Sequence, residues 1–143
     1  MAHSAMTRAR RRALQALYQW AINPAPASEI LEQFSQEQDL SKVDEDAFRR
    51  MVRNTIRDVK DIDLKLAEHV SRPVENLDAM ELSVLRLAAH ELLQHIEVPF
   101  RVVINEAVDL ARQFGSDQTP GFVNGVLDKC AKSWRSHEHN AGA

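Results

Sequence analysis

Hydrophobic residues recur every three or four positions along most of this 143-residue chain, and this spacing constrains the fold more than any other feature. Only four glycines and five prolines interrupt the pattern. No run alternates apolar and polar residues for long enough to form a sheet. An apolar content of 44% is sufficient for a buried core at this length. The sequence therefore predicts an all-α protein of six or seven helices.

Interruptions of the spacing locate the helices of the first half. A first helix is predicted at about 5–22, ended by "NPAP". A short helix follows, with Ser28 as its expected N-cap. Asp44 or Asp46 then opens a long apolar stripe, which belongs to one or two helices ending near Val70.

The second half restarts with a helix-capping pattern. Asp78 and Glu81 have the spacing of a capping box in front of an apolar stripe that reaches to "VP" at 98–99. We expect two helical halves, about 1–75 and 76–143, packed together as a single domain.

Helix ends in the last third are predicted from glycine, threonine and proline. Gly115 is expected to end one helix in the left-handed conformation. Thr119 is expected to cap the last helix, with Pro120 in its first turn, and this helix runs to about 133. The tail "HEHNAGA" is expected to be frayed.

Positive charge is concentrated at the start of the chain. Residues 1–28 contain four arginines and no acid (Arg8, Arg10, Arg11 and Arg12), whereas the remainder carries 14 basic and 21 acidic side chains. Each cation at a helix N-terminus is unfavourable by roughly 0.3–1 kcal/mol, so stability alone does not explain the cluster. We interpret it as an anion site of arginines and free helix N–H groups, with nucleic-acid phosphate as the favoured anion. The alternative is a solvated charged surface.

Other motifs give little support for an enzyme. His90 and His95 are five residues apart, whereas a zinc protease helix needs a spacing of four. Cys130 is the single cysteine and is expected to be a buried thiol, as suits a reducing cytosol. Gly121 and Gly125 are interpreted as a site of close helix packing. No metal, cofactor or membrane helix is predicted, and a targeting peptide at the arginine-rich start is the minor alternative.

Three stretches of the chain carry a more specific signal. They are "RRALQALYQW" at 11–20, "ELSVLRLAAHEL" at 81–92, and "VPFRVVINEAVDLARQFG" followed by "FVNGVLDK" within 98–129. The third is the most specific, because two separate motifs stand at a fixed distance. Together these stretches resemble the NusB family of transcription antitermination factors, in the family's order and spacing.

This resemblance implies a fold of two packed three-helix bundles and a function without catalysis. It implies binding of single-stranded boxA RNA from ribosomal RNA leader transcripts, together with NusE, a small-subunit ribosomal protein. NusA, NusG and RNA polymerase would complete the cytoplasmic complex that reads through terminators. A homodimer that masks the arginine region is an alternative state.

The resemblance also assigns roles by position. The expected RNA-binding residues are Arg8, Arg10 and Phe122, with Arg11 and Arg12 substituting for basic residues that relatives carry further upstream. The expected NusE-binding residues are Tyr18, Glu75 and Glu81. The polar residues Asn105, Glu106 and Asn124 are interpreted as fixing contacts between helices.

Two rival functions stay open at this point. One is a protein-interaction module of the same fold that binds no RNA alone, like the NusB-like domain fused to RNA cytosine methyltransferases. The other is a DNA-binding regulator that uses the same arginines. Competition between duplex DNA and single-stranded RNA would separate the second rival, because stacking on Phe122 needs unpaired bases.

Overall fold

The computed structural model of the protein describes residues 4–141, and this part of the chain contains α-helices, one short 3₁₀ helix and no strand. The α-helices are α1 Ala5–Ile22, α2 Ala27–Glu37, α3 Glu45–Arg57, α4 Val59–Ala67, α5 Ala79–Gln94, α6 Phe100–Phe114, α7 Thr119–Trp134 and α8 Ser136–Ala141. The 3₁₀ helix is Val74–Asn76, between α4 and α5.

The all-α prediction is confirmed, and α1 has the bounds that the sequence predicted. The described residues contain eight α-helices, one more than the upper prediction. The additional helix is α8, in the tail that was expected to be frayed. Its Glu138 is held by hydrogen bonds to Arg135 and to the amide of Phe100, and such long-range contacts leave no local signal in the sequence.

The chain divides into two compact units between Arg57 and Asp58. The division expected near residue 75 is therefore one helix too late. Asp58 interrupts the helical backbone with φ −99° and ψ 11°, and α4 then packs against α5 of the second unit. The apolar stripe continues across this break, which is why the sequence pattern did not reveal it.

The first unit is a bundle of three helices. α1 packs against both α2 and α3, and α2 packs against α3. Apolar side chains such as Leu14, Ile30 and Phe48 are at most 2% exposed. The ring centroids of Phe34 and Phe48 are 5.9 Å apart. The apolar face of α1 is thus committed to the core, and its polar face is left for other contacts.

The second unit is built around α5, which packs against α4, α6 and α7. α5 buries most of its circumference, including polar residues such as Ser83 and Glu91. α6 packs on α7 to complete a second three-helix bundle, and α8 packs on α7. This arrangement places the start of α7 in the same unit as the segment between α4 and α5.

Two of the predicted helix starts are confirmed. Asp44 precedes α3 and its Oδ1 accepts the amide hydrogen bond of Ala47 at 3.0 Å. Asp78 and Glu81 form the complete capping box of α5, with the Glu81 amide 2.8 Å from Asp78 Oδ1. Both caps act over three residues, so the local sequence is sufficient to predict them.

The prediction that Ser28 caps α2 is wrong. α2 begins at Ala27, and its N-cap is Pro26, whose carbonyl oxygen accepts hydrogen bonds from the amides of Glu29 and Ile30. Ser28 lies inside the first turn. The ring of Pro26 restricts its φ to a value that is compatible with the start of a helix. α2 therefore begins at this residue without a side-chain cap.

α5 ends earlier than the sequence predicted. Its last residue is Gln94, and a turn at His95–Val98 separates it from α6, whose N-cap is Pro99. Ile96, which continues the apolar stripe in the sequence, is 78% exposed. The buried Arg135 of the second unit donates hydrogen bonds to the carbonyl oxygens of His95 and Val98 in this turn. These hydrogen bonds stabilise the early end of the helix.

The predictions for Gly115 and Thr119 are wrong in detail. Gly115 has φ −96° and ψ −173°, an extended conformation. A Cβ at this position would lie 2.6 Å from the Cβ of Thr119, so glycine is needed for close approach. The Thr119 hydroxyl accepts the amide hydrogen bond of Ser116 at 3.0 Å, and thus closes the loop instead of capping α7.

The close-packing interpretation of Gly121 and Gly125 is also wrong. A Cβ at either position would meet nothing within 4 Å, and both residues are exposed. Among the described helices, none has the length and apolar character required to cross a membrane.

Candidate nucleic-acid and protein interface

The arginines of α1 lie at the start of the helix, without an acidic residue in the first turn. The helix N-terminus is partly satisfied by the chain itself, since Ser4 Oγ accepts the amide hydrogen bond of Thr7 at 3.0 Å. The expectation of free N–H groups at this terminus is therefore wrong for Thr7. The positive charge that would bind an anion at this end of α1 must therefore come mainly from the arginine side chains.

Arg8 reaches across the first unit to the loop between α2 and α3. Its Nε donates a hydrogen bond to the carbonyl oxygen of Lys42, 34 residues further along the chain. This contact holds the main chain of Lys42 next to Arg8, and the Lys42 side chain is exposed. The same loop contains Asp39, whose pKa is lowered chiefly by hydrogen bonds from Ser41 and also by the charges of Lys42 and Arg12.

Arg11 and Arg12 are half-buried on the same helix. Arg12 Nη1 donates a hydrogen bond to Oε1 of Gln15 at 2.9 Å, which is a neutral acceptor one turn later. Arg11 Nε is shielded from solvent and has no hydrogen-bond partner within residues 4–141. Among the described residues, no carboxylate is directly bonded to Arg12, and its positive charge is therefore not neutralised by an ion pair. We call Arg8, Arg11, Arg12 and Lys42 the basic cluster.

Arg10 is placed differently from its neighbours, as its position on the apolar side of the helix predicts. It is only 5% exposed and has interaction partners within the protein. A guanidinium group this buried contributes positive charge but little contact surface. The structure thus separates Arg10 from the three arginines that reach solvent.

Tyr18 lies two turns beyond Arg11 on α1 and is 37% exposed. No hydrogen bond of its hydroxyl is present within residues 4–141. A ring that is partly covered and a hydroxyl that faces no internal partner are typical of residues at protein interfaces.

Glu75 lies in the second unit, on the 3₁₀ helix, and is exposed. It borders a mainly apolar groove of about 570 Å³ between α4, the 3₁₀ helix and α5. Leu64, which is 72% exposed, forms part of the wall. Arg86 and Asp63 close one side through two hydrogen bonds of 2.9 and 2.8 Å.

Glu81 and Phe122 are connected by Arg72, a residue that the sequence did not indicate. Arg72 Nη2 lies 3.4 Å from Glu81 Oε1, and the Arg72 guanidinium carbon lies 5.0 Å from the centre of the Phe122 ring. The Glu81 carboxylate also accepts the Asp78 amide through Oε1. Within the described residues, both hydrogen bonds of this carboxylate use Oε1, so Arg72 and the Asp78 amide share one oxygen.

Asn105 and Asn124 do not fix contacts between helices. Both are exposed and line a polar cleft of about 500 Å³ between α6 and α7, together with Asp109 and Arg112. Both side chains lie at the surface, so the interpretation that they fix contacts between helices is wrong for these two residues. Only Glu106 of the three is half-buried, and it has interaction partners in the protein.

The groups that would serve catalysis or metal binding have structural roles. Within residues 4–141, no three His, Cys, Asp or Glu side chains are grouped as metal ligands. His90 is 4% exposed and lies 3.7 Å from Asp58, and its ring packs against His95. Burial raises the pKa of the Cys130 thiol to about 12, so the reactive thiolate is strongly disfavoured.

Comparison with known proteins shows to which family the chain belongs. The model of the NusB family matches residues 7–132. The chain belongs to the NusB family. The "Transcription antitermination protein NusB" of Psychromonas ingrahamii is 45% identical over 135 residues, which cover 94% of this chain and 93% of that protein. Because NusB proteins are transcription antitermination factors and not enzymes, the prediction of a non-enzymatic protein is confirmed.

Solved structures of the family share the fold. T. maritima NusB superposes with a TM-score of 0.78 at 26% identity, covering 92% of this chain and 93% of that chain. The NusB of a crystal structure of NusB and NusE in complex with dsRNA gives a TM-score of 0.75 at 27% identity, covering 89% and 96% of the two chains. That related protein is therefore known in a complex with both NusE and RNA.

Two residues of the site were missed by the sequence analysis, Lys42 and Arg72. Lys42 joins the basic cluster through a contact over 34 residues. Arg72 lies in the segment "SRPVENLD", which reads as a break between helices. The proline after Arg72 favours an extended backbone at this position, but nothing in the pattern indicates which ring or carboxylate its side chain reaches.

Proposed function

We propose that this protein binds single-stranded boxA RNA of ribosomal RNA leader transcripts together with NusE, and that it thereby helps RNA polymerase to read through terminators. NusA and NusG are the further proteins proposed for this cytoplasmic complex. Membership in the NusB family and the related complex with NusE and RNA support this function. The proposal goes beyond them in naming the RNA element and the outcome for transcription.

The observation that carries the proposal is the basic cluster on an otherwise acidic chain. The basic cluster combines three arginines near the start of α1 with Lys42 of the following loop, and Arg8 lies in the first turn, where a helix disfavours a cation. Arginine guanidinium groups bind phosphate with paired hydrogen bonds, and this compensates for the unfavourable position. Arg8, Arg11, Arg12 and Lys42 are proposed to hold phosphates, and buried Arg10 is proposed to position the start of α1.

Phe122 is proposed to stack on an unpaired base. Its ring lies at the start of α7 and is half-exposed. Glu75 and Glu81 are proposed to contact NusE because a basic ribosomal protein needs acidic partners, and Tyr18 is proposed to contact it through its partly exposed ring and hydroxyl. A homodimer through the arginine region is the proposed competitor of RNA binding, because both would occupy the same cations.

The first test removes charge from the basic cluster. A variant with Arg8→Ala and Arg12→Ala is expected to bind single-stranded boxA RNA about tenfold more weakly or worse, because hydrogen bonds to charged groups are lost. An electrophoretic shift assay with and without NusE measures this change. The matched control replaces Arg50 and Arg53, two exposed arginines of α3, with alanine and is expected to bind like the wild type.

The same assay separates the rival functions. Unlabelled duplex DNA and duplex RNA are added as competitors, and single-stranded boxA RNA is expected to compete best. Undiminished binding by the variant with Arg8→Ala and Arg12→Ala would contradict the role of the basic cluster. Duplex DNA as the strongest competitor would favour a DNA-binding regulator instead.

A further inference from the structure

Arg72 holds two groups to which the proposed function assigns different ligands. Its guanidinium group is paired with Glu81 through Nη2 and also lies over the ring of Phe122. The Arg72 side chain is 47% exposed, whereas the side chain of Glu81 is 11% exposed. Arg72 therefore stands at the surface, between a carboxylate proposed for NusE and a ring proposed for RNA.

Neither contact holds Arg72 firmly. The separation of 3.4 Å from Glu81 is long for a charge-assisted hydrogen bond, and exposed ion pairs are weak in general. A cation at 5.0 Å from an aromatic ring is attracted, but only modestly where water is present. A phosphate near Phe122 can therefore compete with Glu81 for Arg72, and a cation of a partner can compete with Arg72 for Glu81.

We propose that Arg72 is a positioning residue that couples the binding of NusE to the binding of RNA. This inference rests on the proposed function. Without ligands, Arg72 and Glu81 satisfy each other. RNA that draws Arg72 to a phosphate leaves Glu81 available to NusE, and NusE that engages Glu81 leaves Arg72 available to RNA.

The sign of the coupling follows from this shared contact. Each ligand alone must break the pair between Arg72 and Glu81, whereas two ligands together break it only once. Each ligand therefore strengthens the binding of the other by the same factor. One half of the capping box does not depend on the Glu81 carboxylate, because it is Asp78 Oδ1 that accepts the Glu81 amide at 2.8 Å.

The test measures RNA affinity with and without saturating NusE in the wild type and in Arg72→Gln. The probe is labelled single-stranded boxA RNA. In the wild type, NusE is expected to tighten RNA binding, and in Arg72→Gln this factor is expected to fall about two- to fivefold, because the coupling cannot exceed the energy of the weak pair that is broken. NusE affinity in the absence of RNA is expected to be unchanged or higher in the variant, because Glu81 has lost its internal partner.

The unliganded NusE affinity separates coupling from a structural defect, which would weaken NusE binding and RNA binding alike. Arg72→Lys keeps the charge but not the planar group and is expected to retain part of the coupling. The control is Arg49→Gln, because Arg49 also pairs with a glutamate, Glu45, at 3.7 Å. Its coupling factor is expected to equal that of the wild type.

Two results would overturn the proposal. One is an unchanged coupling factor in Arg72→Gln, and the other is a wild-type protein whose RNA affinity does not respond to NusE. Both leave RNA binding itself intact. A wild-type protein that binds no boxA RNA, alone or with NusE, would contradict the proposed function as well.

Discussion

At the scale of single residues, position on the helix decides which cations are available to a ligand. Arg10 and Arg12 are two residues apart on α1, but Arg10 is 5% exposed and Arg12 is half-buried with a neutral partner, Gln15. A rotation of about 200° separates them, so one faces the core and the other faces solvent. Charge counting alone treats them as equivalent, whereas helical periodicity correctly distinguishes them.

The close approach of Gly115 to Thr119 predicts that a larger residue at position 115 destabilises the protein. In Gly115→Ala, the new Cβ would meet the Thr119 side chain at 2.6–2.7 Å. Thr119 cannot move freely, since it is 1% exposed and its hydroxyl holds the amide of Ser116. We expect the free energy of unfolding to fall by about 1–3 kcal/mol, as for other overpacked sites. Urea denaturation monitored by circular dichroism measures this change.

Gly125→Ala is the matched control. This glycine lies inside α7 and a Cβ there meets nothing within 4 Å. Alanine at a helical position restricts the unfolded chain, so we expect the free energy of unfolding to rise by about 0.4–1 kcal/mol. Equal stability of Gly115→Ala and the wild type would show that Thr119 relaxes without cost.

At the scale of elements, α8 completes the end of another helix. α6 begins after Pro99, which offers no side-chain cap, and the Phe100 amide is instead bound by Glu138 Oε2 at 2.7 Å. The other carboxylate oxygen of Glu138 accepts a hydrogen bond from Arg135 Nη1 at 2.7 Å. Arg135 also binds the carbonyl oxygens of Leu92, Glu91, His95 and Val98, at and after the end of α5. Glu138 of this six-residue helix thus stabilises the start of α6, and Arg135, which directly precedes the helix, stabilises the end of α5.

The contacts of Glu138 predict how the stability of the protein depends on pH. The hydrogen bond from the Phe100 amide, together with Arg135, lowers the pKa of Glu138 below its ordinary value of 4.5. A pKa that is lower in the folded state contributes stability above the unfolded pKa, and this contribution is lost as the pH falls through the folded pKa. Glu138→Gln cannot make this contribution. We therefore expect its free energy of unfolding to fall less than that of the wild type between about pH 6 and about pH 3.

Urea denaturation at both pH values measures this difference. Asp39 and Glu97 also have lowered pKa values and are retained in the variant, so some acid dependence persists. Glu68→Gln is the control, since this exposed carboxylate has no hydrogen bond within residues 4–141, and it should follow the wild type. Identical acid dependence in Glu138→Gln and the wild type would contradict the proposed cap.

At the scale of the whole molecule, the charge is divided between a basic start and an acidic remainder. The net charge of −3 consists of four positive charges in residues 1–28 and −7 in the rest. A polyanion is therefore attracted to one end of the sequence and repelled by most of it. This distribution favours a short, oriented contact with RNA over non-specific coating.

The salt dependence of RNA binding follows from this division. If about three phosphates are neutralised, the logarithm of RNA affinity should fall with the logarithm of salt concentration with a slope of roughly −2. Phe122→Leu should weaken binding without changing the slope, because stacking releases no counterions. Fluorescence anisotropy over a salt series measures both. A slope near zero in the wild type would be incompatible with a phosphate site.

The amino-acid pattern was sufficient to predict the helical class and most of the helix starts. Periodicity acts within one helix, and the caps at Asp44 and Asp78 act over three residues, so neither requires knowledge of the tertiary structure. It also shows that arginines crowd the start of α1. Family membership followed from motifs whose order and spacing are properties of the chain.

The contacts between distant segments of the chain became evident from the folded structure. It placed Lys42 beside Arg8, Arg72 between Glu81 and Phe122, and Glu138 at the start of α6. It also showed that glycine is needed at position 115 because the chain approaches Thr119 closely there, and not because of a left-handed conformation. These contacts join residues that lie from four to fifty positions apart, and their geometry depends on how helices pack. Packing is a property of all the contacts together, so no local pattern of residues encodes it.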